Sequence, residues 1–172
     1  MSILVKKAQV NDARHIAGLG RTTFQETFGH LFPVAAELEI YLQNTFSVEK
    51  IASSLAKDNN VFWLAWDGQT PVGYAKLKIK SWHNDEETEG VSQLQKIYVL
   101  QAYLDQKIGK LLYETLEQEV LKIGSKKLWL VVLHTNEKAI RFYEKAGFVK
   151  TQKHYYTIGS QKFEFELMSK SW

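Results

Sequence analysis

One segment of this 172-residue chain carries a phenol where it can meet a ligand: Asn136-Glu137-Lys138-Ala139-Ile140-Arg141-Phe142-Tyr143-Glu144-Lys145-Ala146-Gly147-Phe148. Ala139, Ile140, Tyr143 and Ala146 recur at helical spacing and share one face, so Tyr143 points inward with them. Asn136, or Thr135 before it, accepts the free amide protons of the first turn. Gly147 supplies the left-handed residue that ends a helix without a Cβ clash. A tyrosine held this way is either a core ring whose hydroxyl finds a backbone partner or a general acid facing a departing anion. A second segment, Ala102-Tyr103-Leu104-Asp105-Gln106-Lys107-Ile108-Gly109-Lys110, lies where a strand pattern gives way to a helix pattern. Unpaired amides and the dipole of a helix start favour phosphate, and Lys107 and Lys110 add charge. Gly109 there either leaves the backbone open to a ligand or simply packs.

Other elements must position these two segments. Ile3 to Ala8 reads as a first strand, followed by a cap at Asn11 or Asp12 and a helix running towards Phe28. Pro33 and Ser47 open two further helical stretches, one carrying Leu38, Tyr41, Leu42 and Phe46, the other Ile51, Leu55 and Ala56. Val61–Trp66 and Pro71–Ile79 flank Asp67-Gly68-Gln69-Thr70 and form a hairpin. A polar loop, His83 to Gly90, contains Asp85, Glu86, Glu87 and Glu89, and a strand from Val91 to Val99 follows. Leu111, Leu112, Leu116, Val120 and Leu121 mark a helix from Ile108 to Ile123 closed by Gly124, and Lys127 to Leu133 is a continuous apolar strand. Strand, loop, helix, strand makes a βαβ unit. Phe148 to Ile158 and Lys162 to Met168, joined at Gly159-Ser160, make a closing hairpin.

Composition narrows the chemistry. The chain is 45% hydrophobic and 13% aromatic, which suits one globular domain with a full core. It has no cysteine, so disulfides, thiolate metal sites and a cysteine nucleophile are excluded. The net charge of +3 and the lack of a basic stripe argue against nucleic acid as a partner. No apolar run is long enough to cross a bilayer, and the charges at Lys6 and Lys7 follow the apolar residues, opposite to a secretory signal; a cytoplasmic protein without a membrane partner is expected. His30, His83, His134 and His154 lack metal-ligand spacing and His15 sits within a helix pattern, so no metal is assigned.

The strand Ile97-Tyr98-Val99, the loop ending at Gly109, the strand Leu128-Trp129-Leu130-Val131-Val132 and the pattern Asn-x-x-Ala-x-x-Phe-Tyr-x-x-x-Gly-Phe from Asn136 resemble the GCN5-related N-acetyltransferase (GNAT) superfamily. The resemblance covers most of the chain. Thr27-Phe28, Trp63, Val72-Gly73-Tyr74 and Phe142-Tyr143-Glu144-Lys145 are similar to the bacterial Pai-type spermidine/spermine acetyltransferases. The resemblance implies an α/β (α+β) fold over residues 1–172: a mixed, mostly antiparallel twisted sheet of about seven strands, splayed at the fourth and fifth, with about four to five flanking helices. It implies acetyl-CoA in the opening, its pantetheine along Ile97, Tyr98 and Val99 and its pyrophosphate on the amides of Leu104, Asp105, Gln106, Lys107, Ile108 and Gly109, beside Lys110. Asn136, Lys138 and Lys145 would contact the cofactor and Tyr143 would face its sulfur; a homodimer is compatible with the resemblance. The phosphate loop departs from the family pattern of Gln or Arg, two residues, Gly, one residue, Gly or Ala. Aligned without a gap it keeps only Gly109; aligned from Gln106 it puts Gly109 in the first glycine slot and Leu111 in the second.

The implied reaction is acetyl transfer from a thioester to a small primary amine or polyamine by direct attack in a ternary complex. It needs a neutral amine, stabilisation of the developing oxyanion, expected at a backbone amide near Val99, and a proton for the thiolate, expected from Tyr143. Where relatives often carry a glutamate as base, this chain has Gln93 and Gln95, which suit hydrogen bonding to substrate or a solvated sheet face. Proton loss through water is expected, with Glu26 or the acidic loop as distant acceptors. The four loop carboxylates suit a polycationic amine, though solvation alone also explains them. Acetylation of a peptide amine and a non-catalytic acyl-CoA-binding role are the rival readings.

Overall fold

Asp67 and Thr70 face each other across a two-residue turn in which Gly68 takes φ +60°, the left-handed region open to glycine. The hairpin this turn closes, β2 (Asn60–Asp67) and β3 (Thr70–Ile79), forms the middle of one half of the sheet. The computed structural model describes residues 2–84 and 87–172, so the carboxylates expected at Asp85 and Glu86 lie outside the described residues. β1 (Ile3–Lys7) pairs with β2, and β4 (Val91–Val99) pairs with β3. β5 (Lys127–Leu133) runs parallel to β4, and the closing hairpin of β6 (Val149–Ile158) and β7 (Gln161–Ser171) is attached through β7. The order is β1-β2-β3-β4-β5-β7-β6, mixed and mostly antiparallel as the resemblance implies.

Five α-helices cover the two faces among the described residues. On one face lie α1 (Ala13–Phe28), α2 (Ala35–Thr45) and α3 (Val48–Leu55), whose Ile16, Phe24, Leu42, Phe46 and Ile51 pack on Phe62, Leu64 and Tyr74. On the other lie α4 (Ile108–Lys122) and α5 (Glu137–Lys145), whose Leu112, Leu116, Val120 and Ile140 pack on Ala75, Leu77, Leu128 and Leu130. Two separate cores on one sheet follow from strands whose successive side chains alternate between faces.

Most boundaries follow the caps. Ser47 accepts the Lys50 amide at 3.2 Å and Asn136 accepts the Ala139 amide at 3.2 Å, the first-turn bonds expected of each. Pro33 stands just before α2, which begins at Ala35 with Val34 as its extended cap. β7 runs to Ser171 instead of ending near Met168. Its polar end, Ser169-Lys170-Ser171, is held by register with Trp129, Leu128 and Lys127, a long-range pairing that local apolar alternation does not report.

The feature that shapes the site is a split. β4 and β5 pair only at Val91/Lys127, Ser92/Leu128 and Gln93/Trp129 and then diverge. Just there β4 carries a bulge against β3: Lys96 pairs with Lys76 and Leu94 with Leu77, leaving Gln95 as the extra residue. A bulge bends and over-twists its strand, which turns β4 away from β5.

Candidate active site

Beyond Gln93, among the described residues, β4 has a strand partner only on its β3 side, so its other edge is open. The Leu100 amide donates to the Val72 carbonyl at 2.9 Å, and this sets the phase of the antiparallel ladder. Tyr98 and Lys96 exchange hydrogen bonds with β3, and the peptide groups of Ile97 and Val99 point to the open edge, as the pantetheine assignment requires. A cavity of about 720 Å³ lies along this edge, and Ile97, Tyr98 and Val99 line it.

The start of α4 forms the cavity's polar end. Leu104, Asp105, Lys107, Ile108, Gly109 and Lys110 all line it, and no side chain caps the helix. Its first amides are therefore available to an anion. Lys107 adopts φ +61° and Asp105 φ +68°. Lys107 occupies the first glycine slot of the ungapped alignment, so the backbone takes the conformation glycine favours even though the residue is lysine; the ungapped alignment is the one that fits. A Cβ at Gly109 would meet nothing within 4 Å, which rules out the packing explanation for this glycine. Asn136, Lys138 and Tyr143 line the opposite wall. Lys138 reaches across to Asp105 at 3.1 Å, an exposed pair worth little energetically.

Tyr143 is 7% exposed, with its ring against Phe142 and Phe148 at centroid distances of 5.4 and 5.7 Å. Burial, with a smaller push from Tyr98, holds its hydroxyl well above the ordinary value of 10. Among the described residues that hydroxyl has no protein hydrogen-bond partner, unlike the backbone-satisfied core tyrosine that was the alternative.

A second cavity, about 470 Å³, opens on the α1–α3 face of the split and shares Tyr98 with the first. Phe24, Phe28, Tyr41 and Phe46 line it from the helices, and Tyr156 and Phe163 from the closing hairpin. The hairpin tip is tied to α2: Glu37 accepts from the Ser160 amide at 3.1 Å and from its hydroxyl at 2.9 Å. Gln93 and Gln95 both line this cavity, which removes the solvated-face reading of those glutamines. So do Lys76, Lys96 and Lys50, whereas no aspartate, glutamate or histidine does among the described residues. Burial, together with neighbouring lysines in the case of Lys76, lowers both the Lys76 and Lys96 amines from 10.5 to about 8.

The structure thus gathers thirteen expected residues in the larger cavity, Glu26 among them, and two glutamines in the smaller. Gln106 is exposed and outside both linings, as is Lys145 at the end of α5. Glu26 lies on the opposite side from the glutamines, its carboxylate accepting the Gln101 amide at 3.1 Å. Sequence reasoning missed Tyr74, Lys76 and Lys96. Their signal was legible in principle: Lys76 follows the inward Tyr74 by two residues and Lys96 precedes the inward Tyr98 by two, which puts charge on a buried face. Among the described residues no helix is long and apolar enough to cross a membrane, and no group of three or more ligating side chains could hold a metal.

Comparison with known proteins gives a consistent result. The sequence model of the acetyltransferase (GNAT) family matches residues 21–148. The chain is 27% identical over 170 residues, 97% of each protein, to an uncharacterized N-acetyltransferase encoded in the pepI 3' region of Lactobacillus delbrueckii subsp. lactis. In fold it is similar to PaiA N-acetyltransferase from Thermoplasma acidophilum, solved in complex with coenzyme A, with TM-score 0.82, 24% identity and 100% of both chains covered. The ribosomal-protein-S18-alanine N-acetyltransferase from Escherichia coli is also similar, with TM-score 0.73, 20% identity, and 99% of this chain and 94% of that one covered.

Proposed function

The chain belongs to the acetyltransferase (GNAT) family, and from that premise we propose that it transfers an acetyl group from acetyl-CoA to a small primary amine, both held at the split between β4 and β5. The observation that carries this reading is the pair of cavities meeting at Tyr98, one with an open strand edge and an uncapped helix start, the other with polar groups in an aromatic wall. The first suits a long anionic thioester. Ile97 and Val99 would pair with its amide arm, and the amides from Lys107 to Lys110 would hold its phosphates.

Bound acetyl-CoA would supply an activated acyl group and a sulfur able to leave. A neutral amine entering from the aromatic side forms the new C–N bond as the C–S bond breaks. A free β4 amide near Val99 stabilises charge on the carbonyl oxygen. Tyr143 keeps its proton at neutral pH and donates it toward the departing sulfur. The amine's proton leaves through water, since no carboxylate or imidazole among the described residues lines the acceptor cavity.

A polycation such as spermidine is the finer expectation from the acidic loop. Of the described part of that loop, Glu89 pairs with Lys80 at 3.0 Å, and the acceptor cavity itself carries lysines. Spermidine is therefore one member of the test panel. The experiment measures thiol release from acetyl-CoA with polyamines, amino acids, aminoglycosides and peptides. The proposal expects turnover with a small primary amine. Binding of acetyl-CoA without turnover of any amine would replace this reading with an acyl-CoA-binding role.

A further inference from the structure

The acceptor cavity carries a charge pattern that acetyl transfer to an amine does not by itself require. Lys76 and Lys96 stand directly opposite each other in the β3/β4 ladder, an arrangement of like charges that ordinarily destabilises a strand pair. Among the described residues neither has a carboxylate at ion-pair distance. Their amines lie over the rings of Phe62 and Phe46, at 5.3 and 5.6 Å from the centroids. The depression of both amines to about 8 has the same physical origin: burial, and for Lys76 the repulsion of Lys96, Lys78, Lys57 and Lys50, with no acid to offset it. An anion between them would relieve the repulsion and offset part of the cost of burial.

Two residues that line the same cavity carry a buried polar atom without a partner among the described residues. The Tyr74 hydroxyl, on a residue only 2% exposed, has no hydrogen-bond partner, nor has the buried Oε1 of Gln95. Buried polar atoms without partners cost free energy, so a ligand in the adjoining cavity that draws either side chain toward it would recover that cost. The hydroxyl can donate to an anionic oxygen, and the amide oxygen can accept from an amine.

Resting on the acetyltransferase reading, we propose that the acceptor is a primary amine that also bears an anionic group, a carboxylate or a phosphate, and an apolar body. Its anion sits against Lys76, Lys96 and the Tyr74 hydroxyl, its amine is directed to Gln95, and its apolar part meets the aromatic wall. A polycation without an anion would bring more positive charge to a site that already holds it uncompensated.

The test compares kcat/KM within matched pairs: L-phenylalanine against L-phenylalaninamide, and O-phosphoethanolamine against ethanolamine, with spermidine as the polycation. The anionic member of at least one pair should be preferred by about tenfold or more, the scale of one charge-assisted contact. Lys76→Met and Lys96→Met should each erase that preference while acetyl-CoA affinity stays within about twofold. Both variants remove a like charge from a half-buried face, so folding is not expected to suffer. A second arm does not depend on turnover: phenylacetate or phenyl phosphate, but not benzylamine, should raise the melting temperature of the wild type and not of Lys96→Met. Faster turnover of spermidine or of the neutral members, or a preference that survives both substitutions, overturns the anion assignment alone. Absence of turnover with every amine overturns the acetyltransferase reading, and the melting arm then decides the anion assignment separately.

Discussion

The two cavities that meet at Tyr98 are built by different means. The larger one offers backbone groups: an open strand edge at Ile97 and Val99 and an uncapped helix start at Lys107 to Lys110, which on the proposed reading would hold acetyl-CoA. The smaller one offers side chains collected from three helices, the strands β2, β3, β4 and β5 and the closing hairpin. Backbone recognition depends on local conformation and tolerates sequence change, which is how the phosphate loop keeps its shape with lysine in a glycine slot. Side-chain recognition depends on which residue stands at each position, so the chemistry of the acceptor is encoded there.

The largest effect expected from breaking this division is at Tyr143, which in the proposed reaction would serve proton transfer and not the binding of either partner. Tyr143→Phe should lower kcat by about a hundredfold, the usual scale for loss of one proton donor, while acetyl-CoA affinity changes little. Steady-state rates alongside calorimetric binding check both halves. Unchanged turnover would remove Tyr143 from the chemistry.

A substitution remote from the reacting atoms should separate the cavities. A Cβ at Gly20 of α1 would come to 2.3 Å from the Phe46 ring, which lines the acceptor cavity. Gly20→Ala gains about 1 kcal/mol of helix propensity but overpacks the site, for a net loss of about 1–2 kcal/mol in chemical denaturation. The displaced ring should raise the acceptor KM and leave that of acetyl-CoA unchanged. Equal effects on both would mean that the cavities are not separate.

Lys107→Gly acts on the other side. It relieves a left-handed lysine and should stabilise the fold by about 1 kcal/mol, while acetyl-CoA affinity falls through loss of the charge. Tighter acetyl-CoA binding would show instead that backbone freedom matters more than charge in this loop.

The least local effect is on pH dependence. Lys76 and Lys96 titrate near 8 in the folded protein against 10.5 ordinarily, so between these values the unfolded chain binds more protons. Stability should therefore carry the full penalty below about pH 8 and recover as pH rises towards about 10.5. Melting temperatures over that range should rise more steeply in the wild type than in the Lys76→Met, Lys96→Met double variant. Parallel curves would mean that these amines are not depressed.

The same division explains what could be read in the sequence. Caps and turns are local, so the Asn136 and Ser47 starts, the inward face of Tyr143 and the Gly68 turn appear in the structure as the residue pattern implies. The polar end of β7 and the bulge at Gln95 are set by register with distant strands, and so is the opposition of Lys76 to Lys96. The split between β4 and β5 is implied by the family resemblance, but the bulge that bends β4 there, and with it the approach of both glutamines to one cavity, is not legible in the local pattern. Glu26 lies on the wall of the larger cavity, but the partner of its carboxylate, the Gln101 amide, is far away in the chain and no local pattern reports it.

Amide hydrogen exchange with and without coenzyme A tests the division between the cavities most directly. The account predicts added protection at Ile97 and Val99 on the open edge of β4 and at Ile108, Gly109 and Lys110 at the start of α4, with none at the tip of the closing hairpin around Ser160. Protection confined to that hairpin and α2, with the β4 edge and the α4 start unchanged, would contradict it.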